Sequence, residues 1–90
     1  MIEKFTIGSV VKATSGRESN QLFIVLSVSN DYAYIINGKS RPIEKPKRKN
    51  VKHLYSLLYK SDLVHCIEDQ TITNAQVIKY LKDYNKSLGK

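Results

Sequence analysis

Residues 32 to 38 read YAYIING, an apolar run that ends on Asn37 and Gly38. Both of those residues tolerate the positive φ of a two-residue type I′ turn, so the chain is expected to fold back here as a hairpin. Two similar runs precede it. From Gly8, GSVVKAT sets β-branched residues between Gly8 and a Ser-Gly pair, as a short strand does. LFIVLSV puts Leu22, Ile24, Leu26 and Val28 on one face, yet is apolar enough for burial on much of both faces. SGRESNQ and SND are the polar loops between these strands. Beyond Gly38 a fourth strand is expected to begin near Lys39 and to be short, because Pro42 lacks the N–H that a central ladder needs. Val51, His53 and Tyr55 alternate with Lys52, Leu54 and Ser56, as a fifth, closing strand would.

Five short strands in so little chain predict a mainly β fold, an SH3-like five-stranded barrel over residues 1–58, with an extension over residues 59–90. In that extension TNAQVIKYLKDYNKSL opens with Thr73 and Gln76, a Thr-x-x-Gln capping box, and sets Val77, Leu81, Tyr84 and Leu88 at helical spacing. A C-terminal α-helix over about 73–88 follows, its stripe a packing face. In YKSDLVHCIEDQ, Ser61 is a candidate cap for a single helical turn. A chain of 90 residues, 41% of them hydrophobic, suits one domain with one modest core.

Charge is the second constraint. The formal net charge is +7, and residues 39 to 60 account for all of it: Lys39, Arg41, Lys45, Lys47, Arg48, Lys49, Lys52 and Lys60 face Glu44 alone. Charge that serves solubility is spread over a surface; this charge is concentrated, and its self-repulsion disfavours the folded state unless an anionic partner offsets it. Nucleic acid is the expected partner. A membrane surface fits less well, because polybasic lipid binders add an amphipathic helix or a lipid anchor and this segment has prolines and no helical stripe.

Other function classes find little footing. No apolar run is long enough to span a bilayer, and MIEKFTIGSV lacks the apolar stretch of a secretory signal, so a cytoplasmic protein is expected. Cys66 has no second cysteine to pair with. Three residues that ligate zinc in other proteins, His53, His65 and Cys66, lack Cys-x-x-Cys spacing, so no metal is expected. The glycines are too scattered for a phosphate loop, and the one adjacent nucleophile and base, Cys66 and His65, diverge as sequence neighbours do on a strand or helix, so neither a cofactor nor an enzymatic activity is expected.

The stretch GSVVKATSGRESNQLFIVLSV resembles the KOW motif of ribosomal proteins and transcription elongation factors, a strand, loop and strand with a glycine in the loop; Gly16 stands at that glycine. Through YAYIINGKSRPIEKPKRKNVKHL the resemblance extends to the small bacterial KOW-domain RNA-binding proteins related to large-subunit ribosomal proteins of archaea and eukaryotes. It covers roughly residues 6 to 54. Where many KOW loops carry a second glycine this chain has ESNQ, in which Asn20 most readily takes a left-handed conformation. Where relatives often have Asp-Gly at the third turn it has Asn37 and Gly38, and the tail after residue 54 falls outside the likeness. The resemblance implies a KOW-type SH3-like barrel that binds structured RNA, ribosomal RNA foremost, in a ribosome- or translation-associated role beside ribosomal proteins; a monomer is expected.

The implied surface joins the loop to the basic segment, which charge indicates independently: Gly16, Arg17, Lys39, Arg41, Lys45, Lys47, Arg48, Lys49, Lys52 and His53. A-form RNA hides its base edges in a narrow major groove, so a small barrel grips phosphates and 2′-hydroxyls and reads shape. Arg17 can fork one phosphate, or be an idle loop arginine. Pro42 and Pro46 stiffen the segment, or simply end a strand. His53 is either a stacking ring or a packed barrel residue, and Tyr32, Tyr34, Tyr55 and Tyr59 are either stacking platforms or core. The competing expectation is a protein-interaction module of the transcription or translation machinery, since SH3-like barrels also bind peptides; its working surface would be the helix stripe and the tyrosines.

Overall fold

The computed structural model describes residues 5–17 and 19–87. The strands are β1 (Ser9–Ala13), β2 (Leu22–Ser29), β3 (Tyr32–Ile36), β4 (Lys47–Asn50) and β5 (Leu54–Lys60), and the helices are α1 (Val64–Glu68) and α2 (Asn74–Ser87). The five antiparallel strands form one curled sheet in the order β4-β3-β2-β1-β5, an SH3-like half-barrel followed by a C-terminal helix. A 3₁₀ turn, Val51–His53, joins β4 to β5. No helix among the described residues is long and apolar enough to cross a membrane.

The sheet buries both faces, so there are two cores where one was expected. Val11, Ala13, Phe23, Val25, Ala33, Ile35 and Leu54 fill the inner, concave side. On the outer side Val10, Ile24 and Ile36 pack against Leu63 and against Val77 and Leu81 of α2. The continuous apolar run of β2 has this cause, since Phe23 and Val25 point one way and Ile24 the other. Val28 departs from the expected face. A β-bulge between Val25 and Ser27 breaks the alternation and sets Val28 opposite Ala33, 40% exposed.

The helix stripe packs on the barrel as expected, with Val77 and Leu81 buried and Tyr84 against the same core; Leu88 lies outside the described residues. The capping box forms reciprocally: the Thr73 N–H donates to Gln76 Oε1 at 2.9 Å and the Gln76 N–H to Thr73 Oγ1 at 3.2 Å. Ser61 caps nothing. It is buried, and its hydroxyl donates to the Gly8 carbonyl at 2.7 Å, tying the start of the tail to the start of β1.

Two strand expectations are corrected. The two-residue hairpin occurs at Asn30 and Asp31, where Ser29 pairs with Tyr32 and Asn30 holds φ +55°. At the Asn37-Gly38 pair only Gly38 has positive φ, because Asn37 Oδ1 accepts the N–H groups of Lys39 and Arg41, both at 2.9 Å, and folds a side-chain-capped turn in place of a hairpin. Residues 39–46 are therefore loop, and the fourth strand starts at Lys47, not near Lys39. The fifth strand likewise begins at Leu54, after the Asn50 side chain accepts the Lys52 N–H and winds residues 51–53 into the 3₁₀ turn. It runs on through residue 58 to Lys60.

Candidate nucleic-acid interface

The basic segment divides at Pro46. Its first half, residues 37–46, is a loop laid against α2. The Ile43 N–H donates to Asn74 Oδ1 at 2.8 Å, and the Asn74 amide donates to Glu44 Oε1 at 3.0 Å. That bond, with a backbone hydrogen bond, holds the Glu44 carboxyl below its ordinary pKa. Gly38 sits so close to α2 that a Cβ there would lie 2.7 Å from both the Asn74 carbonyl oxygen and Ile78 Cγ1. Lys39 and Lys45 are exposed and Arg41 is half-buried. Lys39 lines a cleft of about 570 Å³ together with Asn20 and with Lys82 of α2.

The second half, residues 47–53, faces the β1–β2 loop. Lys49 Nζ donates to the Ser15 carbonyl at 3.2 Å, and the Thr14 N–H donates to the His53 carbonyl at 3.0 Å. These two bonds bring Gly16, Arg17, Lys49, Lys52 and His53 to one surface. Gly16 has φ +84°, the left-handed backbone that lets the loop turn beneath the Lys49 ammonium, and Asn20 closes the loop at φ +70°. His53 is exposed on the 3₁₀ turn, so it is not a packed barrel residue.

Alternation in β4 distributes its cations. Lys47 and Lys49 pair with Ile35 and Ala33, whose side chains fill the inner core, so both lysines project on that side of the edge strand. Arg48 pairs with Tyr34 and projects on the other. Its guanidinium carbon stands 4.6 Å from the centroid of the Tyr32 ring, a cation–π pair. Tyr32 is 37% exposed and Tyr55 59%, so these two tyrosines are surface residues; Tyr34 is half-buried, and the side chain of Tyr59 lies outside the description.

Among the described residues no carboxylate pairs with the ammonium groups of Lys39, Lys45, Lys47 or Lys52. Lys79 and Asp83, 3.0 Å apart on the surface of α2, do form such a pair. Sequence reasoning missed Lys82, because bases and acids balance over the tail and only the fold brings Lys82 to the cleft that Lys39 lines. It also missed the Arg48–Tyr32 pair, whose signal is the β3–β4 register.

No protein-family model matches this chain, and no curated protein matches it.

Proposed function

We propose that this protein binds structured RNA through the surface formed by the β1–β2 loop, β4 and the 3₁₀ turn. The observation that carries this reading is the bond from Lys49 to Ser15, which sets the most basic strand against the glycine-bearing loop, while Lys47 and Lys52 beside it have no carboxylate partner among the described residues. Lysines so placed repel one another, and phosphates relieve that repulsion. Gly16, Arg17, Lys47, Lys49, Lys52 and His53 form the centre of the contact. Lys39, Arg41 and Lys45 flank it, with Lys82 extending the flank onto α2.

A loop and an edge strand meeting at one rim suit the phosphates and 2′-hydroxyls that border an A-form minor groove, which is reading by shape. Association with ribosomal RNA, ribosomal proteins and translation rests on the resemblance of residues 6 to 54 to KOW proteins. An adaptor reading loses one of its two surfaces, since Val77 and Leu81 are spent on the chain's own core.

Purification from cells in low salt tests the proposal. The expected protein carries nuclease-sensitive RNA, absorbs strongly at 260 nm relative to 280 nm, and sheds the RNA in high salt. Protein that emerges free of nucleic acid in low salt, and fails to shift a structured RNA added afterwards, contradicts it.

A further inference from the structure

On the outer side of the sheet Val10, Ile24 and Ile36, the last at the far end of β3 from Tyr32, are buried against Leu63 and α2. At the end carrying Tyr32 this side is open. Tyr32 and Arg48 are both exposed there and stacked on each other, with Tyr34 opposite Arg48 on the same face. Asn50, opposite Tyr32, completes the group: its Oδ1 accepts the Lys52 N–H, while its amide NH₂ makes no hydrogen bond with the described residues.

We propose that Arg48 and Tyr32 form a stacking platform for one unpaired nucleobase, so that the preferred ligand is an RNA helix interrupted by a bulge or loop and not a continuous duplex. This rests on the RNA-binding reading and narrows its ligand class. Three observations favour a base over a phosphate at this spot. Arg48 is the one β4 cation on this side, because Lys47 and Lys49 project on the other, so β4 offers no cluster here to neutralise a backbone. Its guanidinium is held over a ring, and a planar cation so supported offers its free side as a π-stacking surface. The adjoining turn carries the exposed Asp31, whose carboxylate repels phosphate but not a neutral base.

The strand edge then explains the pairing of the two surfaces. Lysines on one side of β4 hold the helical backbone while the arginine on the other side takes a base expelled from the stack, which is possible only where the helix is interrupted. The unoccupied Asn50 NH₂ donates to an acceptor on that base or its ribose.

The test compares a continuous RNA duplex with the same duplex carrying a bulge of unpaired adenosines, one of them replaced by 2-aminopurine. Wild-type protein is expected to bind both, the bulged RNA about tenfold (about 1.4 kcal/mol) more tightly, since a base stacked on a side chain adds a contact the duplex cannot make. Its binding should change the 2-aminopurine fluorescence. Tyr32→Ala should bring the two affinities within about twofold by weakening bulge binding alone. Tyr32→Phe should retain the preference, and Arg48→Gln should lose it while keeping the fold. Equal wild-type affinity for the two RNAs, an unchanged fluorescence, or a preference that survives both Tyr32→Ala and Arg48→Gln overturns the platform and leaves duplex binding intact. Binding to neither RNA overturns the RNA-binding reading itself.

Discussion

Residues 37–46 and 47–53 are adjacent, both basic, and put to different ends. The first stretch is anchored: its backbone is hydrogen-bonded by Asn74, its glycine is pressed against Ile78, and its one acid is held by the helix. The second stretch touches the β1–β2 loop through one lysine and one carbonyl and leaves Lys47 and Lys52 without carboxylate partners among the described residues. A single run of positive charge is thus half a structural strap and half a contact surface, and what divides them is where β4 begins.

If that division is right, substitutions in the strap should cost stability and those in the contact surface should cost binding. The largest stability effect is expected at Gly38. Valine there meets the Asn74 carbonyl and Ile78 while holding φ +84°, and should destabilise the fold by about 3 kcal/mol, lowering Tm by roughly 15 °C in a thermal melt. A variant that melts within a few degrees of wild type would show that the strap is not anchored where the structure places it.

Gly16→Val is the counterpart in the loop. Its φ is also +84°, but the nearest side-chain atom to a new Cβ is Lys49 Nζ at 3.4 Å, the mobile end of a long side chain, so the cost falls to about 1–2 kcal/mol of local strain. RNA affinity should drop more than stability, because the loop carries the Ser15 carbonyl that holds Lys49. A melt that shifts while binding stays constant would reverse that assignment.

Asn74→Ala removes the acceptor of the Ile43 N–H and should cost about 1 kcal/mol, read by denaturant titration, without altering the salt dependence of RNA binding. The smallest effect belongs to Glu44. Its folded pKa lies below the ordinary carboxylate value, first because of the Asn74 amide, so its stabilisation is present in full above the ordinary value and fades as pH falls through the depressed one. Because the group is exposed the effect is slight, and Glu44→Gln should melt slightly below wild type near neutrality and converge with it in acid, with a weaker acid dependence of its own.

Much of the fold was legible because apolar alternation and turn residues agree over β1, β2 and β3. The helix was legible for the same reason: the capping box and the Val77, Leu81, Tyr84 stripe each state one of its boundaries or faces. The fourth strand was not. Asn-Gly is a hairpin signal only when both residues turn left-handed, and Asn37 instead spends its side chain on the N–H groups of Lys39 and Arg41. Nothing local announces that Asn74, far along the chain, supplies the Ile43 N–H with an acceptor. That error carried into the site. Charge located the segment, but which cations share a side depends on strand register, so the opposition of Arg48 to Lys47 and Lys49, and the Tyr32 contact it permits, became visible only in the fold.

The most direct test of the division removes the same amount of charge from each half. Lys39→Gln with Lys45→Gln takes two exposed cations from the strap, and Lys49→Gln with Lys52→Gln takes two from the contact surface. RNA affinity is then measured across a salt series. If Lys49 and Lys52 each neutralise a phosphate, their loss should flatten the slope of log affinity against log salt by about 1.8, while the strap variant changes it by less than about half as much; the strap variant should melt at or slightly above wild type and the contact variant slightly below, having lost the Lys49 bond to Ser15. Equal slope changes in the two double variants would contradict the division, since they would mean that RNA responds to the summed field of the segment and not to the particular lysines that β4 and the loop bring together.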